Sequence, residues 1–198
     1  MTLALAEHEL LLVRHGETAW SLSGQHTGRT DIPLTANGRA VAAALAPVLA
    51  PLHLAAVLCS PLSRARTTCD LAGLGHEARI DGDLSEWDYG DYEGLTTDAI
   101  HSRAPGWLLF RDGCPGGESP EAIGARVDRL LGRLRGGTAT GPVALFAHGH
   151  VLRVLAARWL GLPVRQGAGF LLDTATLSVL SHYRGDPAIR CWNAPIGL

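Results

Sequence analysis

The sequence predicts an α/β fold: a single three-layer α/β/α domain with a mostly parallel central sheet. Three observations carry this. Short apolar runs, ELLLV, AAVLC and PVALFA, alternate with segments of helical character. Each run ends in a polar triplet, RHG, CSP or HGH, and in open α/β sheets ligands bind beyond the carboxyl ends of the strands. Finally, 198 residues with 46% hydrophobic and 18% charged side chains suit one globular unit able to bury a core. No repeat, low-complexity tract or long linker divides the chain, so residues 1–198 read as one domain.

The elements follow in order. Glu9 to Val13 reads as a buried strand that opens into a loop at Arg14-His15-Gly16. Thr35 to Leu49 is rich in Ala and Leu and reads as a helix, with Thr35 as N-cap and Pro47 ending or kinking it. Ala55 to Cys59 is a second buried strand stopped by Ser60-Pro61, and Leu62 to Leu71 a helix with Pro61 in its first turn. Glu86 to Gly94 is polar, aromatic and punctuated by glycine, hence a loop. Helical periodicity recurs from Glu118 to Leu134 at Ile123, Val127, Leu130, Leu131 and Leu134. Pro142 to Ala147 is a third buried strand, and Val151 to Leu160 the helix after it. Thr174 to Tyr183 and Ala188 to Trp192 read as closing strands joined by a turn around Gly185-Asp186-Pro187.

Charge excludes several partner classes. A net charge of −2 gives no basic field for nucleic acid or an anionic membrane. No apolar run reaches the ~20 residues of a membrane helix. Met1 to Leu12 lacks a basic leader region and carries Glu7 and Glu9, unlike a signal peptide. Cys59, Cys69, Cys114 and Cys191 form no C-x-x-C pair and are expected as reduced thiols of a cytoplasmic protein. Any anion bound here must be held by a few local residues.

The triplets supply such residues. A neutral imidazole at His15 is a good nucleophile toward phosphorus, and Arg14 offers a planar fork that matches phosphate oxygens. Gly16 would let a backbone N–H approach the phosphate. Arg64, in the first turn of its helix, sits where an anion is favoured. His148 and Gly149 open another helix after a buried strand; a protonated His148 would hold charge while His15 attacks, and Gly149 would offer its N–H. His150 is expected to stand behind them or cap the helix. Glu86, beside Trp87, is the candidate acid that protonates a departing oxygen and then the base that activates water. Asp88 and Glu93 read as structural. No Cys or carboxylate accompanies the histidines at metal-ligand spacing, so neither metal nor other cofactor is expected.

Together, LLLVRHGETAWSLSGQHTGRTDIPLTANG, CSPLSRARTT, LSEWDYGDYEGLTT and FAHGH, in this order, resemble the histidine phosphatase superfamily, also called phosphoglycerate-mutase-like, over Leu10 to about Val179. The resemblance implies a phosphohistidine on His15, a phosphate pocket of Arg14, Arg64 and His148, a proton donor at Glu86 and no metal. It implies phosphate contacts at Thr27 and Gly28, and at Ser21, where many relatives carry Asn. The phosphatase branch, with its acid phosphatases and sedoheptulose-bisphosphatase-like proteins, is the better match. Mutases of the family have a Lys after the Glu loop and paired arginines further on; here those places hold Thr97 and Arg111-Asp112. The expected substrate is a small phosphorylated metabolite, with residues 95–117 as a lid or specificity insert and Arg103 and Arg111 reaching a second anionic group. Two readings stand beside it: a phosphate-binding module without catalysis, and a scaffold in which Trp107, Leu108, Leu109 and Phe110 cover the pocket or join a dimer. Family habit points to a homodimer.

Overall fold

The computed structural model describes residues 3–136 and 141–196. Six strands form one sheet: β1 Leu10–Arg14, β2 Ala56–Cys59, β3 Ala78–Ile80, β4 Val143–Ala147, β5 Leu177–Tyr183 and β6 Asp186–Ala194. Their order is β3-β2-β4-β1-β5-β6. The first four run parallel; β5 is antiparallel to β1 and β6 to β5. The helices are α1 Ala19–Ser23, α2 Ala36–Ala44, α3 Ala46–Leu49, α4 Ser63–Leu71, α5 Thr97–His101, α6 Leu109–Asp112, α7 Pro120–Gly136 and α8 Gly149–Trp159. Among the described residues no helix is long and apolar enough to cross a membrane.

The alternation of side chains along a strand sorts the core into two layers. Leu10 and Leu12 of β1 with Leu145 and Ala147 of β4 face the layer built by α7 and α8, where Ile123, Val127, Leu152 and Leu155 are buried. Leu11 and Val13 with Ala144 and Phe146 face the opposite layer of Leu45, Leu49, Ala65 and Cys69. β4 and the first four residues of β1 are therefore apolar at every position because both faces are covered.

Several expectations shift in detail. Thr35 is the N-cap, its hydroxyl accepting from Gly38 N, and α2 gives way to α3 where Pro47 enters. Pro61 stands outside α4, whose N-cap is Leu62. The strand from Thr174 starts only at Leu177, because Ala175 takes a left-handed φ of 56°. The hairpin turn is Arg184-Gly185, both with positive φ (55° and 93°), so Asp186 and Pro187 belong to β6. A proline fits there because β6 is the outermost strand on that side. β3 has no sequence signature: it is three residues at the other edge and buries no side chain fully. Gly90–Tyr92, inside the expected loop, forms a single 3-10 turn. Residues 95–117 pack on the core, burying Ile100, Trp107, Leu109 and Phe110, while Leu108 is exposed. Trp107, Leu109 and Phe110 thus form a core face.

Candidate active site

The parallel strands β1, β2 and β4 deliver His15, Ser60 and His148 to one end of the sheet. Backbone bonds extend the ladder past the strand ends: His15 N donates to Ala147 O and Ser60 N to Phe146 O, both at 2.9 Å. Residues more than 40 positions apart therefore meet without any loop needing to fold over them. The His15 and His148 rings lie 5.1 Å apart, centroid to centroid.

The site has an open front and a closed back. The front is a cleft of about 270 Å³ whose lining includes Arg14, His15, Glu86, Gly149, His150 and Arg153. His15 Nδ1 lies 2.7 Å from Gly16 O. Burial, aided by Arg14 and Arg64, pushes the imidazole well below the usual histidine range, so the ring is neutral. Its proton then rests on Nδ1, donated to the carbonyl, and Nε2 keeps its lone pair for attack. Arg14 Nη1 donates to Leu172 O. Its Nε is buried and has no acceptor among the described residues. Gly149 packs against this guanidinium: a Cβ there would stand 3.3 Å from Arg14 Cζ.

Glu86 is held by the start of α8. Its Oε1 accepts from Trp87 N (2.9 Å) and Val151 N (2.8 Å), and Oε2 accepts from His150 N (2.9 Å). The Trp87 side chain points elsewhere, donating to Glu118 O and packing on Phe110. His150, expected behind the pocket, instead walls it. Tyr89 Oη lies 2.5 Å from His150 Nδ1. Burial raises the phenol's pKa and lowers the imidazole's, so the phenol donates and His150 carries its own proton on Nε2.

The back is saturated. Arg64 is fully buried, with Nε donating to His148 Nδ1 (3.1 Å), Nη1 to Thr30 O, and Nη2 to Thr27 O and Gly28 O. His148, also fully buried, accepts that bond at Nδ1 and donates from Nε2 to Ser60 Oγ at 2.7 Å. A ring that accepts from a guanidinium is neutral, and burial together with Arg64 lowers its pKa in the same direction. His148 is thus neutral in this structure, whereas the sequence reading expects a protonated ring holding phosphate charge. Arg64 acts here as a clamp on residues 27–30.

Other expected contacts divide similarly. Ser21 lines the cleft, but its hydroxyl accepts from Thr18 N and donates to Thr18 O in the capping box of α1. Thr27 lines the cleft and donates to Gln25 O. Gly28 is not presented to it: its N–H is taken by Glu93 at 2.9 Å, which also accepts from Thr30 N. Gly16 N is likewise occupied, by Thr68 Oγ1. Gly16 must be glycine because a Cβ would meet Gly38 O at 2.5 Å. Arg111 lies outside the cleft, exposed and bound to Asp112 and Gly106 O. Arg103 is exposed and does not line the cleft either.

Three titratable lining residues are missing from the sequence reading: His26, Tyr89 and Arg153. Arg153 had a signal, since it follows His150 by three positions and shares its helix face. Tyr89, three residues beyond Glu86 in the EWDYG loop, had a weaker one. Nothing flagged His26, whose ring stacks 4.8 Å from Tyr89 and whose pKa falls to about 4 through burial. Among the described residues no group of three or more His, Cys, Asp or Glu could hold a metal ion.

Known proteins resemble this chain over most of its length. The profile of the histidine phosphatase superfamily (branch 1) matches residues 10–195. An acid phosphatase of Mycobacterium tuberculosis is 40% identical over 185 residues, spanning 92% of this chain and 91% of that protein. Sedoheptulose 1,7-bisphosphatase of Saccharomyces cerevisiae is 39% identical over 187 residues, spanning 79% and 69%. Among solved structures, mycobacterial glucosyl-3-phosphoglycerate phosphatase in complex with inorganic phosphate superposes with a TM-score of 0.81 at 31% identity, covering 94% of this chain and 97% of that one.

Proposed function

The chain belongs to the histidine phosphatase superfamily, and we propose that it hydrolyses phosphate monoesters of small metabolites through a phosphoryl group carried on His15, without a metal ion. The observation that carries this reading is a neutral His15 with its Nδ1 proton tied to Gly16 O, in one cleft with Arg14 and Glu86.

In the first step His15 Nε2 attacks phosphorus in line while Glu86 gives a proton to the leaving alkoxide. In the second, Glu86 takes a proton from water, which displaces the phosphoryl group from the imidazole. Arg14, with its unpartnered Nε and its charge fixed by the Leu172 carbonyl, balances the charge on the equatorial oxygens. The saturated Ser60–His148–Arg64 chain supports His15 from behind. Ser21, Thr27 and Gly149 are the proposed lining of the phosphate end.

Hydrolysis is favoured over phosphoryl return to a second hydroxyl. Thr97 lines the cleft where a mutase would carry a cation, and Arg111 is neutralised by Asp112 outside it. We read 1–198 as one domain in which 95–117 is the specificity insert, though only Thr97 of it lines the cleft. The cytoplasm is the proposed compartment, in keeping with four free cysteines.

The test is phosphate release from a panel of esters with EDTA present, together with trapping of an acid-labile phosphoprotein. Wild type should release phosphate and carry the label. His15→Ala should lose both, with turnover down roughly 10⁴-fold or more and its thermal unfolding unchanged in shape. Substantial turnover by that variant would remove His15 from the mechanism.

A further inference from the structure

The mechanism leaves one cation of the cleft without a task. Arg153 follows Gly149 by one turn of α8 and lines the same cleft. Its guanidinium is built in: Nε donates to Gly167 O at 3.0 Å, Nη2 to Ala168 O at 2.9 Å, and its Cζ lies 4.6 Å from the centre of the Phe110 ring. The partly buried Arg126 and Arg158 each carry a carboxylate, Glu118 and Asp128. Arg153 has none: among the described residues no carboxylate forms an ion pair with it, and its Nη1 has no acceptor. Burial lowers its pKa from the usual arginine value, yet arginine keeps its charge in proteins. A half-buried, immobilised cation facing an open cleft is a costly arrangement unless an anion arrives to meet it.

His150 adds a donor beside it. Tyr89 fixes the ring so that Nε2–H is the hydrogen free to point outward, and no acceptor in the described residues takes it. Among the described residues Glu86 is the only acid in the cleft lining, against the two guanidiniums of Arg14 and Arg153.

Position assigns the ligand. Arg14 and His15 meet the transferred phosphoryl group. Glu86 must face the leaving oxygen, and it is bound to the N–H groups of His150 and Val151. The alcohol part of a substrate therefore starts at the beginning of α8, and its substituents lead along that helix toward Arg153. We propose that Arg153 and His150 form a subsite for a second anionic group on the alcohol part of the substrate. The preferred substrates are then phosphomonoesters that carry a carboxylate or a further phosphate. This deepens the phosphatase reading and rests on it.

Matched pairs of esters test it. 3-Phosphoglycerate differs from glycerol 3-phosphate only by a carboxylate in place of a hydroxymethyl group, and fructose 1,6-bisphosphate against fructose 1-phosphate adds only a phosphate. Wild type should prefer the anionic member of at least one pair in kcat/KM by roughly tenfold or more, and the pair that responds identifies the second anion. Arg153→Gln should collapse that ratio toward one, mainly through KM. Arg153→Lys, which keeps the charge but not the fork, should fall between them. A ratio near one in wild type, or one unchanged in Arg153→Gln, overturns the subsite while leaving the phosphatase reading in place. No phosphate release from any ester, nitrophenyl phosphate included, overturns the phosphatase reading and the subsite with it.

Discussion

The two arginines that the motifs group together, Arg14 and Arg64, live in different surroundings. Arg14 faces the cleft with a buried Nε that no atom of the described residues satisfies. Arg64 is fully buried behind it, and its donors go to three backbone carbonyls and to His148. One has spare hydrogen-bonding capacity at the place where an anion would arrive; the other has spent nearly all of it on the protein. A motif names residues, but free donors determine which of them a ligand meets. The same contrast separates His15, with an unencumbered Nε2, from His148, whose two ring nitrogens are both engaged.

Exchanging the two regions by mutation gives the sharpest test. Arg64→Ala leaves the Thr27, Gly28 and Thr30 carbonyls and His148 Nδ1 without their donor, so it should cost about 3–5 kcal/mol of stability, read in urea unfolding. Arg14→Ala should leave stability much closer to wild type and lower kcat by about 10²–10³-fold. The opposite pattern, a stable Arg64→Ala protein with a large kcat defect, would erase the distinction between front and back.

Glu86→Gln probes the front alone. It removes the proton donor, so release from sugar phosphates should fall by about 10²–10⁴-fold. Nitrophenyl phosphate, whose leaving group needs little protonation, should lose much less. Equal losses on both esters would make Glu86 a positioning group for α8.

A pH dependence is shared by both regions. His15, His26, His148 and His150 all have lowered pKa values through burial. Above the unfolded value near 6.5 both states are neutral and nothing is lost. As pH falls below it, the unfolded chain takes up protons that the folded chain refuses, so stability declines. For His26 this continues to about pH 4, where the folded group also titrates. Tm should drop steadily between pH 6.5 and 4, and His26→Asn should flatten part of that slope. A Tm that rises on acidification would contradict the burial of neutral imidazoles.

Much of this was legible in the sequence, for identifiable reasons. The fold followed from apolar strands covered on both faces, and Arg14, His15 and Glu86 from strand ends and loop composition. The saturation of Arg64 was not legible, because its acceptors are backbone carbonyls at residues 27–30, and backbone atoms leave no letter in a sequence. Gly28 and Gly16 failed as phosphate donors for a related reason: their N–H groups had partners at Glu93 and Thr68, 65 and 52 residues away. Arg111 was misread although the clue was adjacent, since Asp112 pairs with it. Arg153 was passed over because it lies inside a helix rather than in a terminal triplet. β3, short and unburied, offers no periodicity to read.

One feature of the sheet limits how this chain can change. β1 is gripped on both sides, by β4 running with it and β5 running against it. Each neighbour fixes its register independently, and Leu11 and Val13 belong to one core while Leu10 and Leu12 belong to the other. A single inserted or deleted residue between Leu10 and His15 would turn every side chain of the strand to the wrong layer and carry the nucleophile with them. Insertions at exposed turns such as Arg184-Gly185 meet no such constraint. Variation in length among descendants of this chain is therefore expected to collect in its loops, while the six residues from Leu10 to His15 keep their spacing.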